Sequence, residues 1–231
     1  MLSADRAASG TLPAMIESDA KTLAAALQRD FPNPPAPSDW IWTAPTAVRV
    51  VDCVLSLRKP HKTVVLPRVR GFADRFPEIT SCAQLRDLIG SYDTPAEFHA
   101  DALRMNSPTK AAMLVGVLEY LLDIQSRFNG ATEMDRLSQW ARWTRPGDHL
   151  TLDVDGFKLA GFQYLRMLFG AETVKPDVHI IRYAQSVLGR PIAGKPSREV
   201  GVVYAMERAG EQLNVSVRAL DVAIWTKLSD H

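Results

Sequence analysis

Helix start and stop signals recur along almost the whole chain while strand patterning is nearly absent, and this confines the fold to packed helices. Ser81 with Gln84 and Thr94 with Glu97 have the spacing of capping boxes, in which two side chains satisfy each other's free backbone N–H groups. Pro95 and Pro108 each follow a capping-type residue, at the first helical position, where a missing N–H costs little. From Pro108 onward, Leu114, Val117, Leu118, Leu121 and Ile124 repeat with the helical period, and Asn129-Gly130 is expected to end that helix. Gly170 and Gly189 read as stops of two more helices; another starts near Ser197, and a last one runs from about Ser216 to Leu228. The segment His149–Asp155 (HLTLDVD) alternates like a strand but is short and isolated, and Val64-Val65-Leu66 stops at Pro67. These signals predict an all-α protein of roughly ten helices.

Ile16, Leu23 and Leu27 give helical spacing between Ala14 and Phe31, and the segment Pro32-Asn-Pro-Pro-Ala-Pro37 then breaks the chain. Residues 1–38 are therefore expected to be a peripheral N-terminal helix with a proline-rich linker, and residues 39–231 the main helical domain.

Composition removes whole classes of function. Lys and Arg number 27 against 26 Asp and Glu, so no global field draws the chain to nucleic acid or anionic lipid; any such binding needs a local patch. Two distant cysteines, Cys53 and Cys82, exclude a disulfide scaffold, a zinc ribbon and a four-cysteine cluster. The five histidines show no ligand spacing, and no P-loop, dinucleotide fingerprint or nucleophile elbow is present, so neither metal nor cofactor is expected. No apolar run is long enough to span a bilayer, and MLSADRAASG lacks the apolar stretch of a secretory signal. With two free thiols, the expectation is a cytoplasmic protein, nucleoid-associated if it binds DNA.

Cations concentrate in two stretches. Arg58, Lys59, Lys62, Arg68, Arg70 and Arg75 face a single acid, Asp74, between residues 58 and 75. Between Asp153 and Arg198, seven Lys and Arg face four acids. A polyanion would bind at such stretches, although solvated helix faces produce the same pattern.

Residues 156–185 read GFKLAGFQYLRMLFGAETVKPDVHIIRYAQ. Gly156-Phe157-Lys158-Leu159-Ala160 resembles the second half of the Gly-x-Gly-x-Lys-x-Ala hairpin of the helix-hairpin-helix DNA glycosylase superfamily, which includes the endonuclease III and 8-oxoguanine glycosylase branches. Asp177-Val178-His179 resembles its downstream Asp-x-His element, and Ala184-Gln185 the continuation in the 8-oxoguanine branch. More loosely, the segment from Val51 to Leu57 resembles the first core helix, Ser107 to Ala111 the helix before the hairpin, and Ala219 to Trp225 the closing helix. The likeness spans about residues 44–228 and is specific only around 156–185. Lys158 and Asp177 stand 19 positions apart, the longer of the two registers the superfamily uses; the shorter would put Leu159 in the lysine's place. The chain departs from the pattern at Val154, which replaces the first hairpin glycine, and at the flanking Asp153 and Asp155, which would repel a phosphate. The cluster cysteines of the endonuclease III branch are absent.

The resemblance implies an all-α, two-lobed domain with an active-site cleft between lobes, duplex DNA as partner, and excision of a damaged base that has been flipped from the stack. Asp177 would stabilise positive charge developing on the sugar or orient a nucleophile. Lys158 would attack C1′ and form a Schiff base, giving lyase activity. An ordinary lysine, with a pKa of about 10.4, must be desolvated or deprotonated to do so. Arg58, Lys59, Lys62, Gly156 and Lys175 would contact DNA. Each residue also has a plainer role: Asp177 as a helix cap, Lys158 and Arg58 as surface charges, His179 as a satisfied half-buried side chain, and the five Trp residues as core. The rival to an enzyme is a glycosylase-like binding module that no longer catalyses, which the acidic hairpin favours.

Overall fold

The structure, a computed structural model, describes residues 4–229, with side chains from residue 12 onward. It is all-α: eleven α-helices joined by 3-10 and π-helical turns, with no strand among the described residues. The chain folds as two compact units. Helix α1 (Ala4–Asp30) belongs to the second unit.

The first unit comprises residues 39–144 and 148–171. It contains α2 (Thr46–Ser56), α3 (Leu66–Arg75), α4 (Cys82–Gly90), α5 (Pro95–Asp101), α6 (Pro108–Gln125), α7 (Glu133–Trp143) and α8 (Leu159–Leu168). Its centre is α2, whose run VRVVDCVLS is buried at every position except Arg49. A helix buried on nearly every side has to be enclosed, and α3, α4, α6 and α8 enclose this one. Phe72, Phe98, Leu114, Leu118, Trp140, Phe162 and Phe169 complete the core, with Trp140 edge-on to Phe162 at 6.0 Å between centroids. Each such side chain contributes about 1.5–3 kcal/mol by leaving water.

The capping signals form helix starts as expected, with variations. Ser81 and Gln84 make the full reciprocal box, whereas Thr94 accepts the Glu97 N–H without a return bond from Glu97. Thr132 and Asp135 make a second full box, with the shorter Asp in the third position. Helix α6 ends at Gln125, before Asn129-Gly130, because residues 126–128 tighten into three-residue turns and the Ser126 hydroxyl donates to Asp123 O at 2.6 Å. HLTLDVD is a 3-10 turn (Pro146–Thr151) running into a tight turn, and the Val64-Val65 stretch is a π-helical turn (His61–Val65) leading into α3.

The second unit joins the chain up to Ser38, residues 145–147 and the chain from Glu172 onward. Here α1 packs with α9 (Val178–Leu188) and α10 (Arg198–Leu213), and α11 (Val217–Ser229) packs on α9 and α10. Residues 1–38 were expected at the periphery; instead Ala20, Leu23, Ala24 and Leu27 of α1 share one core with Ile180, Ala184, Val203, Met206, Ala209 and Ile224. The proline segment ends this helix but does not detach it, because its apolar stripe finds its counterpart on α9 and α10. Polar contacts fix the same packing: Arg190 with Asp19 at 2.5 Å, Tyr183 with Asp30 at 3.1 Å and Arg208 with Glu17 at 2.8 Å.

Candidate functional site

Residues Val154 to Phe157 form a tight turn in which the Phe157 N–H donates to Val154 O at 3.0 Å. Gly156 is its third residue and has φ of 75°, the left-handed region that a turn of this kind requires there. A Cβ at this position would also meet Met113 Cε at 2.9 Å, the movable end of a flexible side chain, so it is the backbone that calls for glycine. The Phe157 ring then folds over Gly161, approaching within 2.9 Å of where a Cβ would sit, and the Cys53 thiol donates to Gly161 O at 3.4 Å. These contacts bring α8 against α2. Lys158 is the residue that opens α8; its backbone is extended, its side chain makes no capping bond, and it is exposed. Leu159 beside it is buried, so of the two registers only the longer offers a side chain to a ligand. Asp153 and Asp155 are exposed on either side of Val154.

In the second unit Asp177 caps α9. Its Oδ1 accepts the N–H groups of His179 at 2.9 Å and Ile180 at 3.2 Å, satisfying two orphan donors of the helix start. Oδ2 takes no hydrogen bond from the described residues, and the side chain is half-buried. Behind it, Asp221 of α11 accepts the Lys175 N–H at 2.8 Å. Burial, reinforced by the charge of Asp177, pushes the Asp221 carboxyl up to about 8, so it is protonated at neutral pH. His179 and Lys175 are half-buried.

The predicted DNA contacts Arg58, Lys59 and Lys62 are exposed in one loop after α2, and Arg58 has φ of 56°, uncommon for a residue with a side chain. They share the first unit with Gly156 and Lys158, whereas Lys175 and Asp177 belong to the second. Trp140 is core, and Trp40 and Trp42 pack partly against it. Trp143, expected in the core, is 81% exposed.

Two polar arrangements escaped the sequence reading. Asp52, fully buried in α2, accepts from Tyr164 Oη at 2.6 Å and His61 Nε2 at 2.8 Å. The Lys110 ammonium, buried beneath the same loop, donates to the carbonyls of Val54, Leu55 and Leu57 and so caps the end of α2. The available signal was a single acid inside a mostly apolar helix, since a buried carboxyl needs donors; nothing local names the donors.

A family model described as a domain of unknown function (DUF8548) matches residues 153–229, a third of the chain. The matched stretch begins at the Val154–Phe157 turn and includes Lys158, Lys175, Asp177 and Asp221. No curated protein and no solved structure matches. No helix among the described residues is long and apolar enough to cross a membrane.

Proposed function

We propose that the chain is a base-excision DNA glycosylase of the helix-hairpin-helix type, acting on a damaged base flipped from duplex DNA. The observation that carries the reading is the bonding of Asp177: one oxygen is fixed by two backbone N–H groups at a helix start, and the other takes no hydrogen bond from the described residues. A carboxylate oriented in this way can stabilise an oxocarbenium-like sugar without rearranging at the moment of reaction. The turn with its obligatory Gly156 and the exposed Lys158 opening α8 support the same reading, as does the cationic loop of Arg58, Lys59 and Lys62. On this reading Asp177 would supply charge and Lys158 the amine for a lyase step.

A second reading, a catalytically inactive module that binds nucleic acid or protein, is favoured by one observation. Asp153 and Asp155 are exposed beside the turn that would approach a phosphate, and like charge there opposes that approach. Incubation with a panel of duplexes, each carrying one damaged base, separates the readings. The enzyme releases at least one base, and borohydride traps a covalent adduct that disappears in Lys158→Gln if Lys158 is the amine. Duplex binding without release of any base assigns the chain to the second reading. Release without an adduct removes Lys158 from the chemistry and leaves a monofunctional enzyme.

A further inference from the structure

Asp52 has no exposed surface and lies midway along the most enclosed helix of the first unit. Both of its oxygens are occupied, Oδ2 by the Tyr164 hydroxyl at 2.6 Å and Oδ1 by His61 Nε2 at 2.8 Å. A carboxylate oxygen only accepts, so Nε2 carries the proton in this bond. The bond fixes the ring and its tautomer, leaving Nδ1, unpartnered among the described residues, as its remaining polar atom. The ring is not sealed in: the His61 side chain is 23% exposed. It stands in the sequence Arg58-Lys59-Pro60-His61-Lys62, where the three cations are exposed, and no acid occurs between Asp52 and Asp74.

The fixed tautomer makes Nδ1 change sense with pH. With the ring neutral, Nδ1 is a bare lone pair and repels an anionic oxygen; with the ring protonated, it becomes an N–H donor bearing positive charge. Several charged groups on the packed elements are committed elsewhere, while Asp74 on α3 is exposed. On α3, Arg68 donates to Val64 O at 2.7 Å and to Arg104 O at 3.1 Å, and Arg70 lies over Trp40. On α2, Arg49 donates to Ala44 O and Leu168 O, and on α6 Lys110 serves the α2 carbonyls. From α8, the Tyr164 hydroxyl donates to the Asp52 oxygen that does not meet the ring.

We propose that His61 is a proton-dependent phosphate contact: as imidazolium, held from behind by Asp52 and Tyr164, it donates from Nδ1 to a phosphodiester oxygen of nucleic acid lying on the Arg58–Lys62 loop. Closely spaced cations of this kind complement the repeating charge of a phosphate backbone better than an isolated carboxylate. The inference rests on the DNA-binding reading above and adds a regulation to it: the grip of this loop is tighter when the His61 ring carries its second proton.

The test is the salt dependence of binding to a fluorescein-labelled DNA duplex, by anisotropy, at pH 6 and pH 8. Each neutralised phosphate adds about 0.9 to the slope of log K against log salt. The wild type should show a slope steeper by about one contact at pH 6, with binding several-fold tighter. His61→Gln should show the same slope at both pH values, an effect that loss of stability alone would not produce. Asp52→Asn, which removes the charge behind the ring, should shrink the difference. Equal wild-type slopes at the two pH values overturn the inference, and this comparison stands even where a variant fails to fold. A pH difference that survives in His61→Gln also overturns it, pointing to another histidine such as His149 or His179. Absence of duplex binding at either pH defeats this inference and the DNA reading together, whereas duplex binding with no pH term defeats this inference alone.

Discussion

The two units bury an acid in opposite ways. In the first, Asp52 is met by side-chain donors on both oxygens, from a tyrosine on α8 and a histidine after α2. In the second, Asp221 receives a single backbone N–H from Lys175 and faces the charge of Asp177, so it keeps its proton up to about pH 8. One unit holds its acid with a hydrogen-bonded chain that reaches the surface; the other holds a neutral acid behind a carboxylate that stays half-exposed. The cores differ in kind as well. Large aromatic side chains fill the first, while the second packs small residues such as Ala20 and Ala24 of α1 and Ala205 and Ala209 of α10. The contrast teaches that a buried acid can be held by side-chain donors on both oxygens or by one backbone N–H, and that the residues within reach decide which.

The largest effect expected from breaking this comparison lies in the second core. Removing residues 1–31 deletes Leu23 and Leu27, both fully buried, and opens that core. Hydrogen exchange should then show amide protection lost in α9, α10 and α11. Protection that survives would return α1 to the periphery. The milder Leu27→Ala should cost about 2–5 kcal/mol by chemical denaturation.

Next in size is the anchor. Asp52→Ala leaves Tyr164 and His61 without their shared acceptor, and loss of one member of a buried charged network costs about 3 kcal/mol or more. A change under about 0.5 kcal/mol in the denaturation midpoint would mean that the chain of three is not holding α2, α8 and the loop together. Asp221 should behave in the reverse sense. Its folded pKa is raised above the unfolded value of about 3.9, so the folded state binds the extra proton. Stability should therefore fall as pH rises from about 4 to about 8, by about 1.4 kcal/mol per pH unit for that one proton, and level off above 8. Asp221→Asn should flatten this slope and raise the melting temperature at pH 8. An unaltered slope in the variant would place the titration elsewhere.

Much of the helical layout was legible because it is written locally. Ser81, Ser107 and Ser197 cap the helices that their spacing announces, and Gly156, Gly170 and Gly189 take left-handed φ values. What escaped depends on contacts distant in sequence. The apolar stripe of α1 was visible, but nothing in it names α10 as its partner. Tyr164 lies 112 positions beyond Asp52, so the donor chain could not be read from spacing. Trp143 illustrates a finer limit. The buried stripe of its helix runs Leu137, Trp140, Ala141 and Thr144, and a residue between the last two turns away from the core. Of the candidate site, the residues most clearly announced were Gly156 and Asp177; the chemistry of Asp177 is the part that rests on resemblance.

Asp177→Asn tests that chemistry most directly. Asn caps a helix nearly as well as Asp, so fold and melting temperature should change little, while the charge that would stabilise the sugar is gone. Single-turnover base release from a damaged duplex, with duplex affinity measured alongside, is expected to fall at least about a hundredfold in the variant at unchanged affinity, the scale of loss when one preorganised charge-stabilising group is removed. Wild-type rates of release in Asp177→Asn would leave Asp177 as a helix cap and nothing more, and would contradict the account.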